Sequence, residues 1–318
     1  MVYRVGLFLA VGIGLLAPVF AVEKYPTREI TLVVQSAPGG GSDFTSRTIA
    51  KAAEKYLGQK INVINKPGAS GAIGMGFVAN AKPDGYTIGY VPVELSLLKH
   101  QGYNNIAPDK FEMIMQAVSV PAALSVRADS PYQTIEDFIA DAKEKPGKIS
   151  VGNSGVGSIW HLGALSLEKE AQIQCKHIPF DGAAPALVAV MGGHVDAAVT
   201  GAAEALSHVQ SGKLRLLGVL DKRRFSLLKK VPTMKERGLN AQIVAWGGFA
   251  APKGTDPEII KVLHSAFKKG FEEKWVKEAY QARGFGHAYR KGLDFTEFAN
   301  EQSQFFEPLF ARFGLRRK

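Results

Sequence analysis

The sequence predicts an α/β protein of two lobes joined by two crossings of the chain. Its 318 residues suffice for about two domains at roughly 150 residues each. Short runs of β-branched residues alternate with longer helical patterns, which is typical of parallel sheets covered by helices on both faces. Two extended apolar stretches, at 119–128 and 243–252, interrupt this alternation and are the predicted crossings.

The predicted elements follow the chain in strand–helix pairs. The first pair is a buried strand at 30–34 and a helix over 44–57, separated by a glycine-rich turn, and a strand at 61–64 follows. Later strands are predicted at 149–151, 177–178, 197–200 and 214–220, and later helices at 158–170, 183–191 and 202–210. After the second crossing, Asp256 as N-cap and Pro257 at the first helical position predict another helix.

The two crossings also predict the domain boundaries. The chain between them, 126–245, forms lobe 2. Residues 22–125 and 246–318 together form lobe 1. The lobes are therefore expected to share a hinge of two strands.

The first 21 residues have the pattern of a secretory signal peptide. They carry one charge, at Arg4, followed by an uncharged stretch that closes with small residues at Val19 and Ala21. A membrane anchor is the alternative, but glycines and Pro18 interrupt the apolar run, which is short for a span of about 20 residues. The pattern predicts cleavage after Ala21 and a soluble, exported protein.

Composition excludes several classes of protein. With 46% hydrophobic and 21% charged residues, the chain is neither disordered nor a collagen or coiled coil. A single cysteine rules out a disulfide scaffold, and the seven histidines lack metal-ligand spacing, so no metal or cofactor is predicted. The net charge of +10 favours anions. The basic clusters have no interleaved aromatics, and nucleic acid does not suit an exported protein.

Two glycine-rich loops between a predicted strand and helix could bind an anion. The first, at 37–43, contains Gly40, Gly41 and Ser42, with Asp43 as the expected N-cap of the helix. The second, at 153–158, contains Ser154, Gly157 and Ser158. Free backbone N–H groups and the helix dipole favour a negative group at both places.

Nucleotide and catalytic interpretations of these loops are weaker. Trp160 stands where a dinucleotide loop needs Gly or Ala, and no Gly-Lys-Ser/Thr follows the first loop. Ser158 and His161 are spaced i, i+3, which leaves open a hydrolase with Ser158 as nucleophile and His161 as base. A helix cap with a neighbouring side chain that lines a pocket explains the same spacing.

Nine short motifs, in order along the chain, resemble one family. They are YPTREI (25–30), PGGGSD (38–43), NKPGASG (65–71), KPDGYT (82–87), NSGVGSIWHL (153–162), PFDGAAPA (179–186), GGHVD (192–196), VPTMKERG (231–238) and WGGFAAP (246–252). In this respect the chain is similar to the extracytoplasmic solute receptors of tripartite tricarboxylate transporters, the Bug-type periplasmic binding proteins.

The resemblance implies a type II-like periplasmic binding protein, a Venus flytrap with two hinge crossings. Such a receptor is a monomer without cofactor or catalytic residue that closes on a small carboxylate and delivers it to membrane permease subunits. The residues that it implies for the ligand site are Gly40, Gly41, Ser42, Asp43, Ser70, Glu94, Ser154, Gly157, Ser158, His161, Phe180, Asp181, Gly182 and Thr200, with Pro185 beside them.

Four positions depart from the family pattern. Ser70 replaces a usual glycine, Phe180 a usual Tyr and Asp181 a usual Lys, while Glu94 lies in a loop that is usually neutral. Negative side chains near the cleft disfavour a plain tricarboxylate because like charges repel there. We expect a small mono- or dicarboxylate first and an amino-acid-like acid second. Alternatively, Glu94 and Asp181 face solvent and do not affect the ligand.

Overall fold

The computed structural model describes residues 25–103 and 106–315. The predicted signal peptide at 1–21 lies outside the described residues. The strands are β1 (Ile30–Val34), β2 (Ile61–Asn65), β3 (Thr87–Pro92), β4 (Phe111–Arg127), β5 (Ser150–Asn153), β6 (Lys176–Pro179), β7 (Ala197–Gly201), β8 (Leu214–Leu220), β9 (Val244–Pro252) and β10 (Arg290–Lys291). The helices are α1 (Gly41–Leu57), α2 (Ala72–Ala79), α3 (Ile135–Glu144), α4 (Ile159–Ala171), α5 (Ala183–Met191), α6 (Ala202–Gln210), α7 (Pro257–Phe271), α8 (Lys274–Arg283) and α9 (Gly292–Arg312).

Two sheets share the long strand β4. The first sheet runs β2-β1-β3-β9-β4, and β10 pairs with the same part of β4. In the second sheet, the last residues of β4 pair with β7 and β8, and β5 and β6 continue beyond β7. The chain therefore folds into two lobes, each built on one sheet.

The sheets are mixed, and the expectation of parallel sheets is correct for only part of each. Strands β1, β2 and β3 are parallel to one another, as are β5, β6 and β7. Strand β9 pairs antiparallel with both β3 and β4, and β4 pairs antiparallel with β7. The strand–helix units are parallel because each helix returns the chain to the same end of the sheet, whereas strands that arrive from the other lobe have no such constraint.

Strands β4 and β9 lie side by side between the lobes. They pair from Phe111 opposite Pro252 to Pro121 opposite Val244. Backbone contact is close here because Gly248 faces the carbonyl of Met115, and a Cβ on that glycine would lie 2.2 Å from the carbonyl oxygen. Most residues of both strands are buried, so the hinge is part of the core.

The helices cover both sheets with apolar faces. Helix α1 packs on α7, where Gly270 lets the two backbones approach, and α9 packs on β4. Helices α4, α5 and α6 cover the second sheet. Helix α7 begins as predicted, since Asp256 accepts a hydrogen bond from the N–H of Glu258 and Pro257 occupies the first turn. Within the described residues, no helix is long and apolar enough to cross a membrane.

Candidate ligand-binding site

A cavity lies between the two lobes. Most of its lining residues follow the carboxyl ends of the parallel strands in each sheet, the usual position of a ligand in open α/β sheets, and others lie on the hinge strands β4 and β9. The lining residues are Gln35, Ser36, Gly40, Gly41, Ser42, Gly68, Ser70, Gly71, Tyr90, Pro92, Glu94, Val118, Val120, Ser154, Ile159, Trp160, Asp181, Gly182, Ala183, Glu204, Ala245, Trp246 and Phe285.

Several helices begin at this cavity. Gly41 starts α1, Gly71 precedes α2, Ile159 starts α4 and Gly182 precedes α5, and all four residues line the cavity. The first N–H groups of a helix have no acceptor within the helix, and the helix dipole adds a partial positive charge there. The cavity can therefore hold negative groups without a basic side chain.

Glu204 in the second lobe binds the N-terminus of α1 in the first lobe. Its Oε1 accepts a hydrogen bond of 2.8 Å from the N–H of Gly41, and its Oε2 accepts one of 2.9 Å from the N–H of Gly201. Burial raises the pKa of this carboxyl, and the two backbone donors oppose the rise. One carboxylate thus joins the starts of two helices from different lobes.

Glu94 in the first lobe makes the converse contact. It lies in a single 3₁₀ turn, Val93–Ser96, directly after β3. Its Oε1 accepts a hydrogen bond of 3.0 Å from the N–H of Ile159, the first residue of α4 in the second lobe. The side chain is almost fully buried, and this burial raises its pKa to about 7.

Further hydrogen bonds join the lobes around the cavity. The hydroxyl of Ser70 donates to the carbonyl of Val156 at 2.7 Å, and Gln101 Nε2 donates to the carbonyl of Gly157 at 3.0 Å. Ser70 has φ 54, an unusual conformation for a residue with a side chain. These bonds show that the structure is a closed arrangement of the two lobes.

The structure brings eight of the predicted site residues to the cavity wall. They are Gly40, Gly41, Ser42, Ser70, Glu94, Ser154, Asp181 and Gly182. Gly157 and Phe180 line an adjoining cavity, which shares Ser70 and Asp181 with the first. The carbonyl of Asp181 accepts a hydrogen bond of 3.0 Å from the N–H of Ala37 across the cleft.

Asp43 lies next to the cavity but binds its own lobe. Helix α1 begins at Gly41 with Gly40 as N-cap, so the prediction that Asp43 is the N-cap is wrong. Its carboxylate accepts hydrogen bonds from Gly39 N–H, Arg47 Nε and Asn65 Nδ2. The three contacts fix the glycine loop, and the longer helix is possible because glycines 39–41 take the turn without side-chain clashes.

Ser158 and His161 are joined through the backbone. Ser158 is the N-cap of α4, and its hydroxyl accepts from the N–H of His161 at 3.2 Å. The ring Nδ1 of His161 accepts from the N–H of Gly157 at 2.9 Å. Burial lowers the pKa of this imidazole to about 4. The ring does not receive the serine proton in this arrangement, as a nucleophile–base pair requires.

Thr200 is fully buried on β7, opposite Ala123 of β4. Its hydroxyl has no hydrogen-bond partner in the described structure and does not line the cavity. Within residues 25–103 and 106–315, no group of three His, Cys, Asp or Glu side chains could hold a metal ion.

Sequence reasoning missed five polar residues of the cavity, namely Gln35, Ser36, Tyr90, Glu204 and Trp246. Glu204 is the third residue of α6, and its carboxylate accepts from the N–H of the N-cap Gly201 as the glutamate of a capping box does, although glycine has no side chain to complete the box. That pattern places a carboxylate at the end of β7, on the ligand side of the sheet. Trp246 lies in the second crossing, for which the sequence predicts only a hinge strand. In the structure its indole also lines the cavity.

Two lobes joined by paired strands, with helix N-termini facing an interlobe cavity, define a periplasmic binding protein. The family model described as "tripartite tricarboxylate transporter family receptor" matches residues 45–315, and the chain belongs to this family. The resemblance inferred from the sequence motifs is confirmed. The chain is therefore a solute-binding receptor and not an enzyme, and the hydrolase alternative has no support.

Curated relatives match along most of the chain. A UPF0065 protein in the gbd 5' region of Cupriavidus necator is 34% identical over 96% of this chain and 94% of its own length. Protein BugT of Bordetella pertussis is 32% identical over 88% of this chain and 87% of its own length.

Solved structures are similar over the whole fold. A TctC solute binding protein from Polaromonas is 40% identical, with a TM-score of 0.65 over 91% of this chain and 99% of that one. The periplasmic binding protein BugD is 29% identical, with a TM-score of 0.88 over 92% of this chain and 100% of that one. MatC from Rhodopseudomonas palustris, solved with bound malate, is 26% identical. Its TM-score is 0.83 over 89% of this chain and 99% of that one.

Proposed function

We propose that this receptor captures a small carboxylate in the interlobe cavity and delivers it to the membrane permease subunits of a tripartite tricarboxylate-type transporter. The observation that carries the proposal is the convergence of the N-termini of α1, α2, α4 and α5 on one cavity. Helix N-termini bind anions through free N–H groups and the dipole. The bound malate of MatC supports the same chemistry in a structural neighbour.

The proposed ligand contacts are the backbone at Gly40, Gly182 and Ala183 and the side chains of Ser42, Ser70 and Ser154; the N–H of Gly41 is already bound by Glu204. These residues belong to both lobes, so the ligand completes its contacts only when the lobes are closed. Asp43, Ser158, His161 and Thr200 act as positioning residues in this proposal. Gly157 and Phe180 line the adjoining cavity.

We also propose the lobe boundaries, export and oligomeric state predicted from the sequence. Lobe 1 comprises 22–125 and 246–318, and lobe 2 comprises 126–245, with β4 and β9 as the hinge strands between them. The chain is exported and cleaved after Ala21, and the mature receptor is a monomer. Mass spectrometry of the periplasmic form should find Val22 at its N-terminus; an intact Met1 would contradict export by cleavage.

The site is tested by removing one backbone donor. Ala183→Pro deletes the N–H of the first residue of α5, a helical position that tolerates proline. Lys274→Pro makes the same change at the first residue of α8. Lys274 has an exposed side chain and lies away from the cavity. Affinity for small mono- and dicarboxylates is measured by calorimetry.

We expect Ala183→Pro to weaken binding of the best ligand by about 1.5–3 kcal/mol, as for a hydrogen bond to a charged group. Lys274→Pro should bind like the wild type. Ser154→Ala tests a side-chain donor in the same way, with the exposed Ser211→Ala as its control. Unchanged affinity in both cavity variants would contradict the proposed site.

A further inference from the structure

The charged side chains at the cavity are all acidic. Among the described residues that line it, the charged ones are Glu94, Asp181 and Glu204, and none is Lys, Arg or His. Burial raises the pKa of both glutamates, and the negative charge of Glu204 contributes to the rise at Glu94. A ligand in this cavity therefore meets acidic side chains that the protein does not pair with a basic residue.

Two of the four helix ends at the cavity already bind a carboxylate of the protein. Glu204 accepts from Gly41 at the start of α1, and Glu94 accepts from Ile159 at the start of α4. The end of α5, at Gly182, has no side-chain cap in the structure, whereas the N–H groups of Ala72 and Ile73 at the start of α2 are bound by the carbonyls of Ala69 and Gly68. The helix end left for a ligand carboxylate is thus that of α5.

Unpaired polar atoms at the cavity wall give independent evidence of a ligand with two kinds of polar group. Gln35 and Trp246 line the cavity and are more than nine-tenths buried. Gln35 Oε1, an acceptor, and Trp246 Nε1, a donor, have no hydrogen-bond partner in the structure. Buried polar atoms are nearly always paired, so this wall lacks both a donor and an acceptor that a bound solute would supply.

We infer that the receptor selects a solute with one carboxylate and, at its other end, a cationic or N–H donor group, and that Glu94 and Glu204 determine this specificity. The inference rests on the proposed carboxylate capture and adds the second group. The carboxylate lies at the end of α5. The donor end lies toward the two glutamates, where a second carboxylate would be repelled.

The physical reason is the low dielectric of a closed cleft. Like charges brought together there repel, and opposite charges attract, more strongly than in water. An ammonium or amide N–H end satisfies the carboxylates at Glu94 and Glu204 and leaves their bonds to α1 and α4 intact. A dicarboxylate adds a negative group next to them and gains no basic partner.

Matched series of probes test the inference on the full mature receptor. One series is butyrate, 4-aminobutyrate and succinate; the other is hexanoate, 6-aminohexanoate and adipate. Within a series the chain length is fixed and only the far end changes from neutral to cationic to anionic. At pH 8, calorimetry should find that the amino compound of the better-binding series binds at least tenfold more tightly than its diacid.

The variants Glu94→Gln and Glu204→Gln should each reduce that ratio at least tenfold, because each removes one negative charge and keeps an amide oxygen as acceptor. Glu168→Gln is the control, since Glu168 pairs with His177 outside the cavity. It should keep the wild-type ratio. Circular dichroism verifies that each variant is folded. If one variant does not fold, the other variant and the ranking of the probes by the wild type still test the inference.

The outcomes separate the inference from the proposed function. A diacid that binds as tightly as its amino counterpart, or a ratio unchanged in the folded glutamine variants, would overturn the inference and leave carboxylate capture standing. Failure of every probe in both series would contradict capture of small carboxylates itself, and the inference with it.

Discussion

Glu94 and the N–H of Ile159 form a 3.0 Å hydrogen bond that joins the end of β3 in the first lobe to the start of α4 in the second. Glu204 and Gly41 make the converse bond, from the second lobe to the start of α1. Each lobe therefore presents a carboxylate to a helix of the other. These bonds exist only when the lobes are closed, so closure and the charge of the cavity are coupled.

Glu94→Gln should change how stability depends on pH. Burial raises the pKa of Glu94 to about 7 in the folded protein, above its value of about 4.5 in a free chain. The folded state therefore holds this proton more tightly, and the associated stability, complete below pH 4.5, is lost as pH rises through 7. The variant has no proton to lose and should gain roughly 3 kcal/mol relative to wild type between pH 4.5 and 8, at about 1.4 kcal/mol per pH unit.

Urea unfolding of both proteins at a series of pH values measures this difference. Wild-type and variant curves that stay parallel between pH 5 and 8 would show that Glu94 is not buried as the structure places it.

His161→Asn should change the acid side of the same profile. Burial lowers the pKa of His161 to about 4 in the folded protein, from 6.5 in a free chain. The unfolded state then takes up the proton first, so stability is lost as pH falls from 6.5 toward 4. Asparagine keeps an acceptor for the N–H of Gly157 and does not titrate.

Its free energy of unfolding should therefore fall less than that of wild type in this range, by a difference of roughly 3 kcal/mol at about 1.4 kcal/mol per pH unit. Glu94 acts in the opposite direction over an overlapping range, so the double variant is needed to separate the two contributions. An equal acid-induced loss in His161→Asn and wild type would exclude His161 as the cause.

Local patterns in the sequence predict much of the fold because each pattern depends only on the residues of a single helix or strand. Helix α5 begins and ends where its apolar run does, and β8 and α6 also have the predicted bounds. Helix α1 begins three residues earlier than expected, at Gly41 rather than at 44. Its first turn depends on a contact with Glu204, which is 163 positions away and cannot be recognised from local sequence.

The candidate site was predicted in part for the same reason. Glycine loops after strands are local signals, and Gly40, Gly41 and Gly182 line the cavity. The partners of Glu94 and Glu204 lie in the other lobe, so only the tertiary structure shows that both carboxylates bind helix ends. The sequence leaves open whether Glu94 faces the cleft or solvent. In the structure Glu94 lines the cavity and is buried.

Gly248→Ala should disrupt the hinge. A Cβ at this position would lie 2.2 Å from the carbonyl oxygen of Met115 and 2.7 Å from Gln116 Cα, which are backbone atoms of β4. Backbone cannot move aside as a flexible side chain can, so the cost should reach or exceed the 1–3 kcal/mol of ordinary overpacking.

Gly76→Ala is the matched control, because a Cβ on this residue of α2 meets only Ile106 at 3.5 Å. In a helix, alanine is favoured over glycine by roughly 0.5–1 kcal/mol. Thermal melting should show opposite shifts for the two variants. A Gly248→Ala protein as stable as wild type would contradict the close pairing of β4 and β9.

Gly157→Ala should hinder closure of the lobes. Its backbone has φ 73, and a Cβ there would lie 2.7 Å from the amide carbon of Gln101, which crosses from the first lobe to bind the Gly157 carbonyl. Gly147→Ala imposes a similar strain, since Gly147 has φ 71 in the second lobe, but a Cβ there meets nothing within 4 Å. Comparing the two variants separates the interlobe clash from local backbone strain.

Small-angle scattering of the wild type and both variants, with the ligand of highest affinity, measures closure directly. Gly157→Ala should keep a larger radius of gyration at saturation and bind more weakly, because part of the binding free energy is used to displace Gln101. Gly147→Ala should compact like wild type despite its lower stability. Equal compaction in both variants would show that the contact between Gln101 and Gly157 does not limit closure.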